Sequence, residues 1–380
     1  MSSPSVFRRI GRPLVLSSLV LLAACEQEYE VIPKPVDVDP GDITDCAFTR
    51  VEDTAFYRYD CNPVFSTTGE EWADTIRGTT FLVTEVLDHP FYQLWYTGME
   101  ESATDEFSLG YAVSPEGTEW TPHPDNPLLH EPEDRDAWDA DAMDGMQVVW
   151  DPGSEKYVML YQGYNLGGTT DWGLGAAISA DGVSWKRIES NPVVNLSEPV
   201  RGVSYCWPLG LTLGDVAGFT GYVAGATATG HCEVYRINAA NVNNWTPDTE
   251  MVFPAGERGA WDDEGYISLA IADLAVPDQP ESRHMFYVGF DDWEDHETYR
   301  SAMHPFLGMA TMEDGEWVRQ REIVPVNNTA DGDVSAVAAR TVGSRIHLWI
   351  TDDYDGVSAV GYFLYDPVAA AAEDAGEDAE

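Results

Sequence analysis

The chain predicts an all-β protein: a five-bladed β-propeller of four-stranded antiparallel blades, its ring closed by the N-terminal strand pairing with the C-terminal blade. Three observations carry that expectation. An aromatic strand motif recurs along the chain, a hairpin motif follows it, and an Asn-Pro motif ends two full copies and one partial copy.

The strand motif is Tyr92-Gln-Leu-Trp-Tyr-Thr-Gly98, Tyr157-Val-Met-Leu-Tyr-Gln-Gly163 and Met285-Phe-Tyr-Val-Gly289, with Arg345-Ile-His-Leu-Trp-Ile350 as a fainter copy. Each alternates aromatic and aliphatic residues with period two, as a sheet strand does. The hairpin motif is Gly110-Tyr-Ala-Val-Ser-Pro-Glu-Gly-Thr-Glu-Trp120 and Gly175-Ala-Ala-Ile-Ser-Ala-Asp-Gly-Val-Ser-Trp185. Gly308-Met-Ala-Thr-Met-Glu-Asp-Gly-Glu-Trp317 is a weaker version. It reads as a strand, a tight turn and a strand opening with Trp, the Trp packing between sheets.

Asn-Pro occurs at Asn62, Asn126 and Asn191. The hairpin Trp precedes the last two by six residues, and Phe56 stands six before Asn62. Residues 46–65 therefore read as the last strand of a blade whose first three strands lie in 333–366. Such pairing of the termini removes exposed sheet edges. Charged-Gly pairs at Arg77-Gly78, Asp144-Gly145, Arg201-Gly202, Glu264-Gly265 and Asp331-Gly332 are expected to open the innermost strands, with glycine spacings of 67, 57, 63 and 67. Helical periodicity is absent.

The ends read as processing and tether. Residues 1–24 have the form of a signal peptide, with Arg8, Arg9 and Arg12 before an apolar run too short to span a bilayer. The run ends in Leu22-Ala23-Ala24-Cys25, which resembles the bacterial lipobox and marks Cys25 for lipidation. Glu26 follows in place of Asp, which favours the outer membrane or cell surface. Residues 25–45 form an acidic, Pro-containing tether, 46–367 the propeller, and 368–380 an acidic tail expected to be disordered.

The sequence holds 66 acidic and 20 basic residues, a net charge of −46. That balance excludes nucleic acid as a partner and allows membrane association only through the N-terminal lipid. Besides Cys25, four cysteines remain: Cys46, Cys61, Cys206 and Cys232. An even count in an exported chain predicts two disulfides, and Cys46–Cys61 with Cys206–Cys232 is the most economical of three pairings. No Cys/His spacing suits a transition metal, so neither a metal nor another cofactor is expected. Structural calcium is conceivable at Asp291–Asp295 or Asp352–Gly356, but both fit solvated hairpin loops better.

The stretch from Trp138-Asp139 to Asn191-Pro192 resembles the five-bladed superfamily of arabinanases, invertases and levansucrases, which includes glycoside hydrolase families 43 and 32 and mannoside-phosphorylase relatives. The likeness covers residues 46–366 and rests on blade-packing motifs more than on active-site motifs. The turn Ser-x-Asp-Gly-x-x-Trp lacks one residue of the sialidase Asp-box, a weaker match.

The resemblance implies three carboxylates around the axis, Asp, Asp and Glu in the first three blades. Asp74, Asp141 and Glu198 stand three residues before the charged-Gly position there, whereas Trp261 and Asn328 stand there in the last two. It assigns Glu198 as general acid, Asp74 as base and Asp141 as the residue that orients the acid. Asp139 and Asp262, each directly after a Trp, read as turn or cap residues.

Arg77, Asp144, Arg201, Glu264 and Asp331 form either a mutually neutralising ring or a ligand-binding set, with the two Arg matched to acidic or phosphorylated groups. Trp138, Trp207 and Trp261 are candidate sugar platforms, as are Trp72 and Trp172. Three functions follow for a monomer with a carbohydrate ligand: a glycoside hydrolase, a non-catalytic surface glycan-binding lipoprotein, or a structural or partner-binding propeller.

Overall fold

The structure, a computed structural model, describes residues 46–377 apart from 68–69, 71, 87–88, 101–106, 166–171, 197–201, 215–217, 227–230, 278, 292–303, 325–333 and 355. Cys25, Glu198, Arg201 and Asp331 lie outside the described residues, as does the side chain of Cys206 and with it the expected bridge to Cys232.

Apart from one helix, the regular structure of the described chain is all strand. An N-terminal group comprises β1 (Phe48–Arg50), β2 (Phe56–Tyr59) and β3 (Phe65–Ser66). A four-stranded sheet follows: β4 (Thr75–Val86), β5 (His89–Met99), β6 (Phe107–Ser114) and β7 (Thr121–Pro122). The next comprises β8 (Ala142–Asp151), β9 (Lys156–Tyr164), β10 (Gly173–Ser179), β11 (Trp185–Arg187) and β12 (Val194–Asn195). An eight-stranded sheet runs through β13 (Ser204–Leu213), β14 (Phe219–Ala226), β15 (Cys232–Asn241), β16 (Asn244–Phe253), β17 (Gly265–Leu274), β18 (Ser282–Asp291), β19 (His304–Glu313) and β20 (Glu316–Val324). Its two antiparallel halves, β13–β16 and β17–β20, join at one parallel pair, Cys232 with Gly265. The last sheet holds β21 (Ala336–Val342), β22 (Arg345–Tyr354) and β23 (Val357–Tyr365), followed by helix α1 (Pro367–Glu377).

The N-terminal strands complete that last sheet. β2 pairs antiparallel with β23, Phe56 opposite Tyr365, and β3 pairs with its other end. The Asn-Pro motif explains the register. Asn126 accepts the Tyr111 N–H and donates to the Tyr111 carbonyl, and Asn191 does the same to Ala176. Asn62 makes the same two bonds to Tyr362, 300 residues away in sequence. Each Asn thus clamps the third strand of its own sheet.

The middle strands are buried on both faces, hence their continuous apolar runs such as Tyr157–Tyr161. β4 packs against β8, β8 against β13, β13 against β17, β17 against β21, and β21 against β4.

The hairpin motif latches neighbouring sheets. The Gly182 carbonyl accepts the indole N–H of Trp185 in its own sheet and of Trp95 in the preceding one. The Gly117 carbonyl likewise accepts Trp120 and Trp349, joining the C-terminal sheet to the sheet of β4–β7. Around Gly182, desolvation opposes the charge on Asp181. The N–H groups of Ser184 and Val183 and the hydroxyls of Ser179 and Ser184 outweigh it and bring the carboxyl from 3.8 to about 2. A lowered folded value stabilises above the unfolded value, and that stability is lost as pH falls from about 4 toward 2. Asp181→Asn is expected to flatten the acid limb of a stability-against-pH curve over that window, by under about 1 kcal/mol because the group is exposed.

Cys46 and Cys61 are bridged, closing a loop 15 residues apart in sequence that carries β1 and β2. Opening it by Cys46→Ser/Cys61→Ser is expected to cost about 2–4 kcal/mol, read by denaturant unfolding.

The stretch expected to be a disordered tail is helical up to Glu377. Its alanine run favours helix. Asp366 caps it by accepting the Ala369 N–H at 2.9 Å, and Glu373 pairs with Arg50 at 3.4 Å.

Candidate active site

The starts of three first strands, β4, β8 and β17, rest on a repeated aromatic pad. Trp72 stacks on Tyr96, Trp138 on Tyr161 and Trp261 on Tyr287, with centroids 5.6, 5.7 and 5.6 Å apart. The pads lie so close to Gly98, Gly163 and Gly289 that a Cβ there would come within 2.6, 2.7 and 2.9 Å of the indole. Only glycine permits that approach. Directly after two of these Trp residues stand Asp139 and Asp262, each 1% exposed.

Both sit in turns, as the sequence suggests, and both are buried and held by an arginine. Arg187 and Tyr161 donate to Asp139 at 2.8 and 2.9 Å. Arg319 donates to Asp262 at 2.9 Å, with the Tyr287 and Tyr266 hydroxyls at 3.4 and 3.5 Å. Burial raises the Tyr161 and Tyr287 hydroxyls far above the usual phenol range, so both stay protonated donors.

The second-strand glycines supply a common register. Ile76 faces Gly98, Met143 faces Gly163, Tyr205 faces Gly225 and Tyr266 faces Gly289; an irregularity in the ladder follows directly in β4, β13 and β17 and one pair later in β8. Two residues before the first two stand Asp74 and Asp141, so the two carboxylates occupy the same position in adjacent sheets. Asp74 is exposed and Asp141 half-buried. One residue past Ile76 and Met143 the ladders diverge: Arg77 falls in the irregularity between Ile76 and Gly78, whereas Asp144 faces Gln162.

The charged-Gly series does not keep this register further along. Gly78 and Gly145 stand two residues after the reference position, whereas Gly202 precedes it by three and Gly265 by one. The near-constant spacings reflect repeat length and unequal connections, not one shared position. In the true register the fourth unit offers Glu264 opposite Asp74 and Asp141, and the third offers Val203. Glu264 also lies 3.5 Å from His231, near the single link between β15 and β17. Strand register, which needs the ladder rather than the sequence interval, is the signal that finds it.

The five Trp candidates separate by contact. Trp72, Trp138 and Trp261 form the pads, and the Trp207 indole donates to the Tyr266 carbonyl at 3.1 Å, tying β13 to β17. Trp172 differs. It is 40% exposed and stacks at 4.7 Å and 18° on Tyr164, whose carbonyl accepts the Asp141 N–H at 3.1 Å. An open aromatic shelf therefore adjoins Asp141. Of the two acidic clusters, Asp353 accepts the Gly356 N–H at a hairpin tip, and 292–295 lie outside the described residues. Among the described residues no group of three His, Cys, Asp or Glu side chains is arranged to hold a metal ion.

No family model matches the sequence, and no curated protein matches it. Solved structures match over most of its length. A glycosyl hydrolase from Bacteroides ovatus aligns at 15% identity over 85% of this chain and 94% of its own, with a TM-score of 0.54. A structure from the GH130 family of mannoside phosphorylases, described as containing glycoside hydrolases that target β-1,2 mannosidic linkages in Candida mannan, aligns at 14% identity, 85% and 94% coverage and a TM-score of 0.55. The GH32 β-fructofuranosidase of Bombyx mori aligns at 13% identity over 77% of this chain and 59% of its own, with a TM-score of 0.53. The chain thus has the β-propeller fold of the glycoside hydrolases of families 130, 32 and 43.

Proposed function

We propose that the protein is an exported glycoside hydrolase, lipid-anchored through Cys25 at the outer membrane or cell surface, built on five blades with the ring closed by β2 on β23. The observation that carries the catalytic reading is the common register of Asp74 and Asp141 in adjacent sheets. The cyclic packing of β4, β8, β13, β17 and β21 supports the blade count and closure. Glu198 is the acid that protonates the leaving oxygen, Asp74 the base that activates water, and Asp141 the group that orients the acid. Inversion follows if the Asp74 and Glu198 carboxyls stand about 6.5–9.5 Å apart with water between them. Arg77, close to Asp74 in sequence, receives sugar hydroxyls or an acidic substituent, and Trp172 offers a face on which a sugar ring can stack.

The test is a cleavage screen of the purified protein on aryl β-mannosides, arabinofuranosides and β-fructosides and on β-1,2-linked mannan, with Glu198→Gln as control. Hydrolysis that falls about 10²-fold or more in the variant supports the reading. Binding on a glycan array without any hydrolysis would instead make the protein a surface glycan-binding lipoprotein.

A further inference from the structure

The five first strands line a single cavity, with Thr80 from β4, Gln147 from β8, Thr212 from β13, Ala270 from β17 and Arg340 from β21 on its wall. The centre of a water-sized sphere can move through about 20 Å³ of it, enough for a water or a small ion. Arg340 is the one charged residue on that wall. Its guanidinium donates to the Ala339 carbonyl at 2.7 Å.

Arg50, Arg187, Arg236, Arg283, Arg319 and Arg345 each meet a carboxylate. Arg340 meets none among the described residues, in a chain with 66 acidic side chains. Arg340 is half-buried, and desolvation with no acid beside it brings its guanidinium down to about 10. A cation taken from water without a counter-charge is costly, and an anion at its side offsets that cost. Gln147 supplies a second donor. Its Oε1 accepts from Thr80 at 3.4 Å, and its Nε2 has no partner among the described residues.

We propose that this central cavity binds a small monovalent inorganic anion of the halide class, held by the Arg340 guanidinium with the Gln147 amide as second donor. The room favours a halide over a tetrahedral oxyanion, and one negative charge balances one guanidinium. Its two donors stand on β8 and β21, strands far apart in sequence, so the anion acts as a pin between them. Its presence does not depend on whether a glycoside is cleaved.

Thermal unfolding of the whole protein in sodium gluconate, chloride or bromide at equal ionic strength tests this, because general screening of the acidic surface is common to all three. Chloride and bromide are expected to raise Tm saturably above gluconate, by about 2 °C at ten times the dissociation constant. Arg340→Met should abolish the difference and Gln147→Leu should weaken it. Crystals soaked in bromide should show an anomalous peak beside Arg340. Identical melting in gluconate and chloride, or the same halide increment in Arg340→Met, overturns the proposal. Should Arg340→Met fail to fold, the bromide peak and Gln147→Leu decide, and a cavity without a peak overturns it.

Discussion

Asp74→Asn is expected to lower turnover by about 10²-fold or more on the glycoside the protein cleaves, while KM moves far less. The replacement keeps the size of the side chain and removes only its capacity to take a proton, so the loss falls on the chemical step. Asp74 suits the base for a positional reason. It is exposed at the head of its first strand, where water can reach it, whereas Asp141 is half-buried with its backbone N–H held by Tyr164. Asp141→Asn should therefore cost turnover too, but through the orientation of Glu198, and its pH–rate profile should shift where that of Asp74→Asn simply loses its basic partner. Glu264→Gln separates the alternatives. If it abolishes turnover and the Asp74 and Asp141 variants keep near-full activity, the working carboxylates lie toward the fourth unit and the assignment fails.

The repeats were readable because they are packing devices. Asn126, Asn191 and Asn62 clamp third strands, and the hairpin Trp residues hook onto Gly117 and Gly182, so each motif needs the same residues at the same interval wherever a sheet recurs. That is why the partnership of residues 46–65 with the C-terminal strands could be read from three Asn-Pro pairs. The site was less readable. Asp74 and Asp141 share a register, but the interval that led to them is not structural, as the displaced Gly202 and Gly265 show. Ladder irregularities after Ile76, Asp144, Tyr205 and Tyr266 break the link between sequence spacing and position. The burial of Asp139 and Asp262 is not legible locally, because their partners Arg187 and Arg319 are 48 and 57 residues away and no local pattern announces them. In a chain this acidic, an Asp after a Trp carries no signal by itself, and burial is what distinguishes it.

That buried pairing leads to a large expected effect on stability. Arg319→Met should destabilise the protein by about 3 kcal/mol, the lower end of the range for a buried ion pair broken from one side, or about 4 °C in Tm. Asp262 is 1% exposed, so without the guanidinium its charge keeps only the Tyr287 and Tyr266 hydroxyls at 3.4 and 3.5 Å. Arg319 does more than neutralise it. Its second nitrogen reaches the Pro254 carbonyl and the Tyr266 hydroxyl, and its plane lies 4.2 Å over the Phe253 ring. The lower end of the range applies because the Arg319 side chain is 32% exposed, which lets water approach the gap. The two partners are not equivalent. Asp262→Leu leaves an arginine that already touches solvent and can turn further into it, while Tyr266 keeps its bond to Pro254 at 2.6 Å. The double variant Arg319→Met/Asp262→Leu should therefore be markedly more stable than Arg319→Met alone and close to Asp262→Leu. Denaturant unfolding of the three variants reads this directly. A double variant as unstable as Arg319→Met would mean that the arginine acts through packing on Phe253, and the buried charge of Asp262 would not be what demands it.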